Sequence, residues 1–85
     1  MSKKLQSSKM HIAPTISLGR YKHTKSGKEY EVLGVALHTE TNEYLVVYRP
    51  LYKVEYELFA RPYGMFIENV QINGKTTPRF EKVDE

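Results

Sequence analysis

The sequence predicts an all-β domain: a small SH3-like, partly open barrel of about five strands, with at most one short helical turn near residues 63–68. Three observations carry that expectation. Short runs rich in Val, Ile, Leu and Tyr recur about 8–12 residues apart with turn signals between them, the pattern of a small sandwich or barrel. Helical periodicity is poor along the whole chain. Finally, roughly 70 ordered residues cannot feed two full sheets, and one strongly coiled sheet buries the most surface with the least chain. Closure of such a sheet also hides strand edges that invite aggregation.

The elements follow in order. Residues 1–14 are expected to be a disordered basic tail and residues 15–85 a single domain, with Pro14 marking the approach to the fold. Residues 1–9 have no apolar run, so they are not expected to be a secretory signal or to bury enough surface to offset their ordering entropy. Residues 20–24 form a first strand, joined by the Ser26-Gly27 turn signal to a longer one over 30–38. That second run carries apolar groups at both parities, and Gly34 in its middle predicts a bulge. The polar stretch 39–42 breaks it. Residues 44–49 resume with aromatic and β-branched side chains, and Pro50, lacking an amide hydrogen, should end the strand. Residues 58–61 are a short fourth strand closed by Pro62 and Gly64. A single helical turn over 63–68 would carry Met65 and Phe66 inward. Residues 67–72 alternate after a phase shift, Asn73-Gly74 is a strong hairpin signal, and 79–83 supply the last strand.

Charge and composition exclude several classes. The formal net charge is +3, and Lys3, Lys4 and Lys9 lie in an acid-free tail. The rest of the chain balances its Lys and Arg against its Asp and Glu, so the basic character belongs to the tail. A nucleic-acid-binding face normally concentrates positive charge on the fold itself. The local cluster Arg20, Lys22, His23, Lys25 and Lys28 is offset by Glu29 and Glu31 just after it. Cysteine is absent, which removes disulfides, thiolate metal sites and thiol nucleophiles. No apolar run approaches the roughly 18 residues of a membrane-spanning helix. There is no Gly-rich phosphate loop and no G-x-S-x-G elbow, so no catalytic residue is assigned.

Three groups of residues remain as candidates. His38 and Glu40 point to one side of an extended chain, and with His23 from the neighbouring hairpin they make a two-His, one-carboxylate set able to take a divalent metal. The competing reading is that Glu40 and Thr41 bond the loop backbone and each His is a half-buried strand residue. Tyrosine is abundant, at seven residues, and Tyr48, Tyr52, Tyr56 and Tyr63 interleave with Arg49 and Arg61. Such rings stack bases or grip a peptide, or else fill the core and its rim. Arg61 and Arg79 serve either as clamps to Glu40, Glu68 or Glu81, or as a bidentate anion site.

Gly19-Arg20-Tyr21-Lys22-His23, Gly27, residues 30–36 and His38-Thr39-Glu40-Thr41, followed by Val46-Val47-Tyr48, Leu51-Tyr52, Arg61-Pro62, Met65-Phe66, Gly74 and Pro78-Arg79-Phe80, occur in an order that resembles one known family. It is the small, mostly bacterial family catalogued as domain of unknown function 1653. The resemblance runs from Gly19 to Phe80 and implies an SH3-like β-barrel, with no activity, substrate or cofactor attached. It gives His23, His38, Glu40, Tyr48, Arg61 and Arg79 the status of motif positions without roles. Thr24, Ser26 and Phe59 depart from the family pattern, and residues 53–57 lack a glycine expected there.

The expected function is a cytoplasmic, non-catalytic binding module without a cofactor, for a protein, a peptide or a small anionic ligand. Its ligand residues are His23, His38, Glu40, Tyr48, Tyr52, Arg61 and Arg79. The first alternative is a metal-binding domain or small metal-assisted hydrolase using His23, His38 and Glu40. The second is an RNA- or nucleic-acid-binding module, disfavoured by the balanced body charge. No membrane partner is expected.

Overall fold

The computed structural model describes residues 13–83, so the tail expected over residues 1–14 lies, up to residue 12, outside the described residues. The described chain is mainly β. In order it forms β1 (Gly19–His23), β2 (Glu29–Leu37), β3 (Tyr44–Pro50), β4 (Phe59–Pro62), α1 (Tyr63–Ile67), β5 (Asn69–Ile72), β6 (Lys75–Pro78) and β7 (Phe80–Lys82). Five strands make one antiparallel sheet in the order β4-β3-β2-β1-β7, and β5 pairs with β6 in a separate hairpin. The sheet is curled but open, and among the described residues β4 and β7 are its edges. The expected all-β class and short helical turn are present, and the main sheet has five strands without closing into a barrel. Of the two side chains expected inward from the turn, Phe66 is buried while Met65 is exposed, because one turn presents only one ring to the sheet. The isolated β5–β6 pair is an addition: residues 75–78 are polar and carry little strand signal, and the turn before them does the work.

Two turns show the local chemistry. Gly27 has φ +79° and its N–H donates to the His23 carbonyl at 2.7 Å, which reverses the chain between β1 and β2. Asn73 (φ 52°) and Gly74 (φ 78°) both sit in the left-handed region, as a two-residue hairpin of this twist demands.

The bulge explains why β2 reads as apolar on both faces. Register along β2–β3 runs from Tyr30↔Pro50 to Val32↔Tyr48, then skips to Gly34↔Val47. Leu33 is therefore the extra residue, and parity inverts after it. Val35, opposite buried Val46, joins Tyr30 and Val32 on the inner face, while Ala36 turns outward with Leu45. Strict alternation would have placed Val35 and Ala36 the other way round.

The inner face holds the core: Tyr21, Tyr30, Val32, Val46, Tyr48, Phe66 and Phe80, with Ile16, Tyr52, Phe59 and Tyr63 packed against it. Five core members are aromatic. Phe66 from α1 stacks on Phe80 from β7 with centroids 4.0 Å apart, and Tyr48 meets both rings edge-on at 5.3 and 5.6 Å. One turn of helix thus covers the open side of the sheet by inserting a single ring. Tyr21 and Tyr63 donate their hydroxyls to the Ser17 and Thr15 carbonyls, which ties residues 15–18 to the core. Among the described residues no helix is long and apolar enough to cross a membrane.

Candidate functional site

β-pairing sorts the charges. In an antiparallel pair, directly opposed residues share a face. Lys22 opposes both Glu29 and Glu81, and Glu31 opposes Arg20 and Arg49, so the three strand acids among the described residues lie on the outer face with basic partners. Alternation puts Tyr21, His23 and Phe80 on the inner face. Arg61 opposes buried Val46 and so lies there too. Among the described residues the inner face therefore carries the Arg61 guanidinium, the His23 imidazole and, opposite Tyr21, the Lys82 ammonium, and no strand residue supplies a carboxylate to it.

Arg61 and His23 meet on one ring. The Arg61 guanidinium lies over Phe80 at 5.3 Å, and the His23 imidazole meets Phe80 edge-on at 4.9 Å. The curl of the sheet makes this possible, since Arg61 and Phe80 sit on its two edge strands. Arg61 is half-buried and donates through Nε to the Tyr48 hydroxyl at 3.2 Å. That bond orients the fork and leaves both terminal nitrogens without a partner among the described residues. An arginine stays charged at any relevant pH, so the field of this group is permanent.

His23 is held by its own turn. The Ser26 hydroxyl lies 2.9 Å from Nδ1, and the Ser26 backbone N–H donates to the same atom at 3.3 Å. A nitrogen that accepts from a backbone N–H carries no proton, so the neutral ring keeps its proton on Nε2. Burial first, and then the charges of Arg61, Arg79 and Lys25, hold the imidazole below its ordinary titration range. Of these three cations Arg79 is ion-paired to Glu68, while Arg61 has no carboxylate partner among the described residues.

A tyrosine row continues from this point. Tyr30 lies edge-on to Tyr48 at 5.2 Å, and its hydroxyl is 2.9 Å from that of Tyr52. Burial, then the hydrogen bond to Tyr52, raise the Tyr30 hydroxyl above its ordinary range, so it stays protonated. Lys28 caps the row with its ammonium 4.8 Å from the Tyr52 centroid.

The expected site residues therefore divide. His23, Tyr48 and Arg61 come together, with Tyr52 beyond Tyr30 along the row. Arg79 is close enough to act on His23, but it is clamped by an ion pair to Glu68, one of the partners expected for it. His38 and Glu40 lie elsewhere. β2 starts beside the His23 turn and ends at Leu37, roughly 25 Å away by the rise of a strand. There the His38 Nδ1 accepts the N–H groups of Glu40 and Thr41 at 3.2 and 3.4 Å, and Glu40 is exposed. Their place is the β2–β3 turn. Among the described residues no group of three or more His, Asp or Glu could hold a metal ion, and the His23–His38–Glu40 set is not assembled. Sequence reading missed Phe80 as the platform and Tyr30 as the link. The run Pro78-Arg79-Phe80 was the available signal, but nothing local says that Phe80 faces Arg61.

Comparison with known proteins agrees with this architecture. The family described as "Protein of unknown function (DUF1653)" matches residues 19–82. The crystal structure of a protein belonging to DUF1653 from Bordetella bronchiseptica is similar at 35% sequence identity and a TM-score of 0.74, covering 80% of this chain and 87% of that one. No curated protein matches.

Proposed function

The chain belongs to the DUF1653 family of proteins of unknown function, and we propose that it is a non-catalytic binding module that seats an anionic group at Arg61. The observation that carries this reading is a half-buried guanidinium with no carboxylate partner among the described residues. An ion of that kind is expensive to desolvate unpaired, and an incoming anion repays the cost with charge-assisted, bidentate bonds. His23 Nε2–H supplies a second donor, and the Phe80 ring fixes both groups in place. The site offers donors and rings; the Ser26 hydroxyl does lie beside His23 Nδ1, but that nitrogen also takes the Ser26 backbone N–H, and among the described residues no carboxylate orients the ring as a third member. The scaffold we assign to it is an SH3-like, partly open barrel formed by a single domain, and its proposed location is the cytoplasm.

Inorganic phosphate titrated into the full ¹⁵N-labelled chain tests the reading. The Arg61 Nε–H and the His23 ring signals are expected to shift together in a saturable way, and Arg61→Gln to abolish the response while the backbone spectrum stays native. No shift at either group up to about 10 mM phosphate, which corresponds to a binding energy below roughly 3 kcal/mol, would refute it.

A further inference from the structure

The edge strand next to Arg61 indicates what carries the anion, and the inference rests on the reading just given. β4 pairs with β3, and among the described residues no strand pairs with its other side. The ladder decides which backbone groups face that free side. The Leu51 N–H donates to the Glu29 carbonyl at 2.9 Å, and the His38 N–H to the Glu43 carbonyl at 2.8 Å. In antiparallel alternation these bonds make Tyr30↔Pro50 and Leu37↔Tyr44 non-hydrogen-bonded pairs. Val32↔Tyr48 and Val35↔Val46 are then of the same kind, so Tyr48 and Val46 turn their N–H and C=O groups toward β4. Tyr48↔Phe59 and Val46↔Arg61 become the bonded pairs of β3–β4. Ala60, between them, turns both its N–H and its C=O to the free edge. Pro62 shares that orientation and has no N–H to leave unsatisfied.

We propose that β4 takes up an extended acidic peptide as a sixth strand, antiparallel to it, with a glutamate of the peptide seated against Arg61. A strand bonded to Ala60 places the residues before and after that bond on the inner face, opposite Arg61 and Phe59. Two residues further on, the next inward side chain reaches a cleft of about 410 Å³ beyond the start of β4. Tyr52, Val54, Tyr56 and Leu58 line it together with four charged residues, and Tyr56 (61% exposed) and Leu58 (51%) leave apolar surface in solvent. The preferred peptide therefore reads acid-x-apolar-x-apolar. Three features on one edge match it: a cation lacking a carboxylate among the described residues, an outward-facing peptide group and a cleft of mixed lining with apolar side chains exposed in it. A nucleic acid offers its phosphates to Arg61 but has no backbone to pair with Ala60.

The probe is an acetylated, amidated seven-residue threonine peptide with glutamate at its second position and leucine at its fourth and sixth. The expected result with the full chain is saturable binding that slows hydrogen exchange of the Ala60 amide about tenfold or more. Replacing the peptide glutamate by glutamine is expected to weaken binding at least about fivefold, the scale of one charge-assisted bond. Ala60→Pro removes an N–H that serves no bond within the sheet, so the fold persists; it is expected to abolish peptide binding and to keep the phosphate response at Arg61. Peptide binding that leaves the Ala60 amide unprotected or survives Ala60→Pro overturns strand addition, as does phosphate binding with no peptide binding; the anion reading then stands. Loss of the phosphate response in the unmodified chain overturns the anion reading itself.

Discussion

Arg61 and His23 illustrate how one residue's protonation depends on its neighbours' charge. Folding holds the His23 imidazole below its ordinary range, first by burial and then through Arg61, Arg79 and Lys25. The unfolded chain takes up a proton at this position near pH 6.5, while the folded chain resists it. The unfolded state binds more protons in that window, so His23 lowers stability as the pH falls through about 6.5 toward its folded value; above that range the penalty is absent. Melting temperature is therefore expected to fall more steeply between about pH 7 and pH 5 in the native chain than in His23→Gln. Equal slopes would mean that the ring gains no proton on unfolding. An anion at Arg61 works in the opposite direction, because it offsets the cations that disfavour imidazolium. At this scale the sequence was readable only in part. Residue type marks His23, Tyr48 and Arg61 as chemistry-bearing groups, yet it groups His38 and Glu40 with them, because chain parity is the only guide a sequence offers. A strand's length separates the two histidines, and no local rule reports which end of a hairpin a side chain occupies.

Elements in this chain owe their limits to a few residues with fixed conformational demands. The β5–β6 hairpin is the clearest case, since Asn73 and Gly74 both adopt positive φ and the four-residue strands on either side are largely exposed. Gly74→Val places a β-branched side chain in the left-handed region, at a cost of about 1–2 kcal/mol. Because this pair is a sheet of its own, the loss should appear as faster hydrogen exchange at residues 69–78, with the five-stranded sheet nearly unchanged. Uniform loss of protection through both sheets would show instead that the hairpin is coupled to the core. The bulge at Leu33 is a second case. Gly34 marked it in the sequence, but the inverted parity that follows depends on how β3 pairs, and a single strand's pattern cannot carry that information.

At the level of the whole molecule, one aromatic cluster holds the curled sheet and the site together. Phe66 is 1% exposed and stacks on Phe80, which carries both Arg61 and His23 on its other contacts. Phe66→Ala removes that support, at a cost of about 3–5 kcal/mol. Small domains have about 5–15 kcal/mol in total, so this variant should be close to unfolding in urea titration and should lose near-ultraviolet aromatic dichroism. A loss below about 1 kcal/mol would show that the cluster repacks. The sequence alone determined the strand-rich class, most turns, the single helical turn and the balanced charge of the body, because each follows from local properties: backbone freedom at glycine and proline, side-chain period and residue type. Which charges share a face, which edge stays unpaired and which ring lies beneath Arg61 were decided only by the tertiary structure, because they depend on register and curl, and those bring together residues from opposite edges of the sheet.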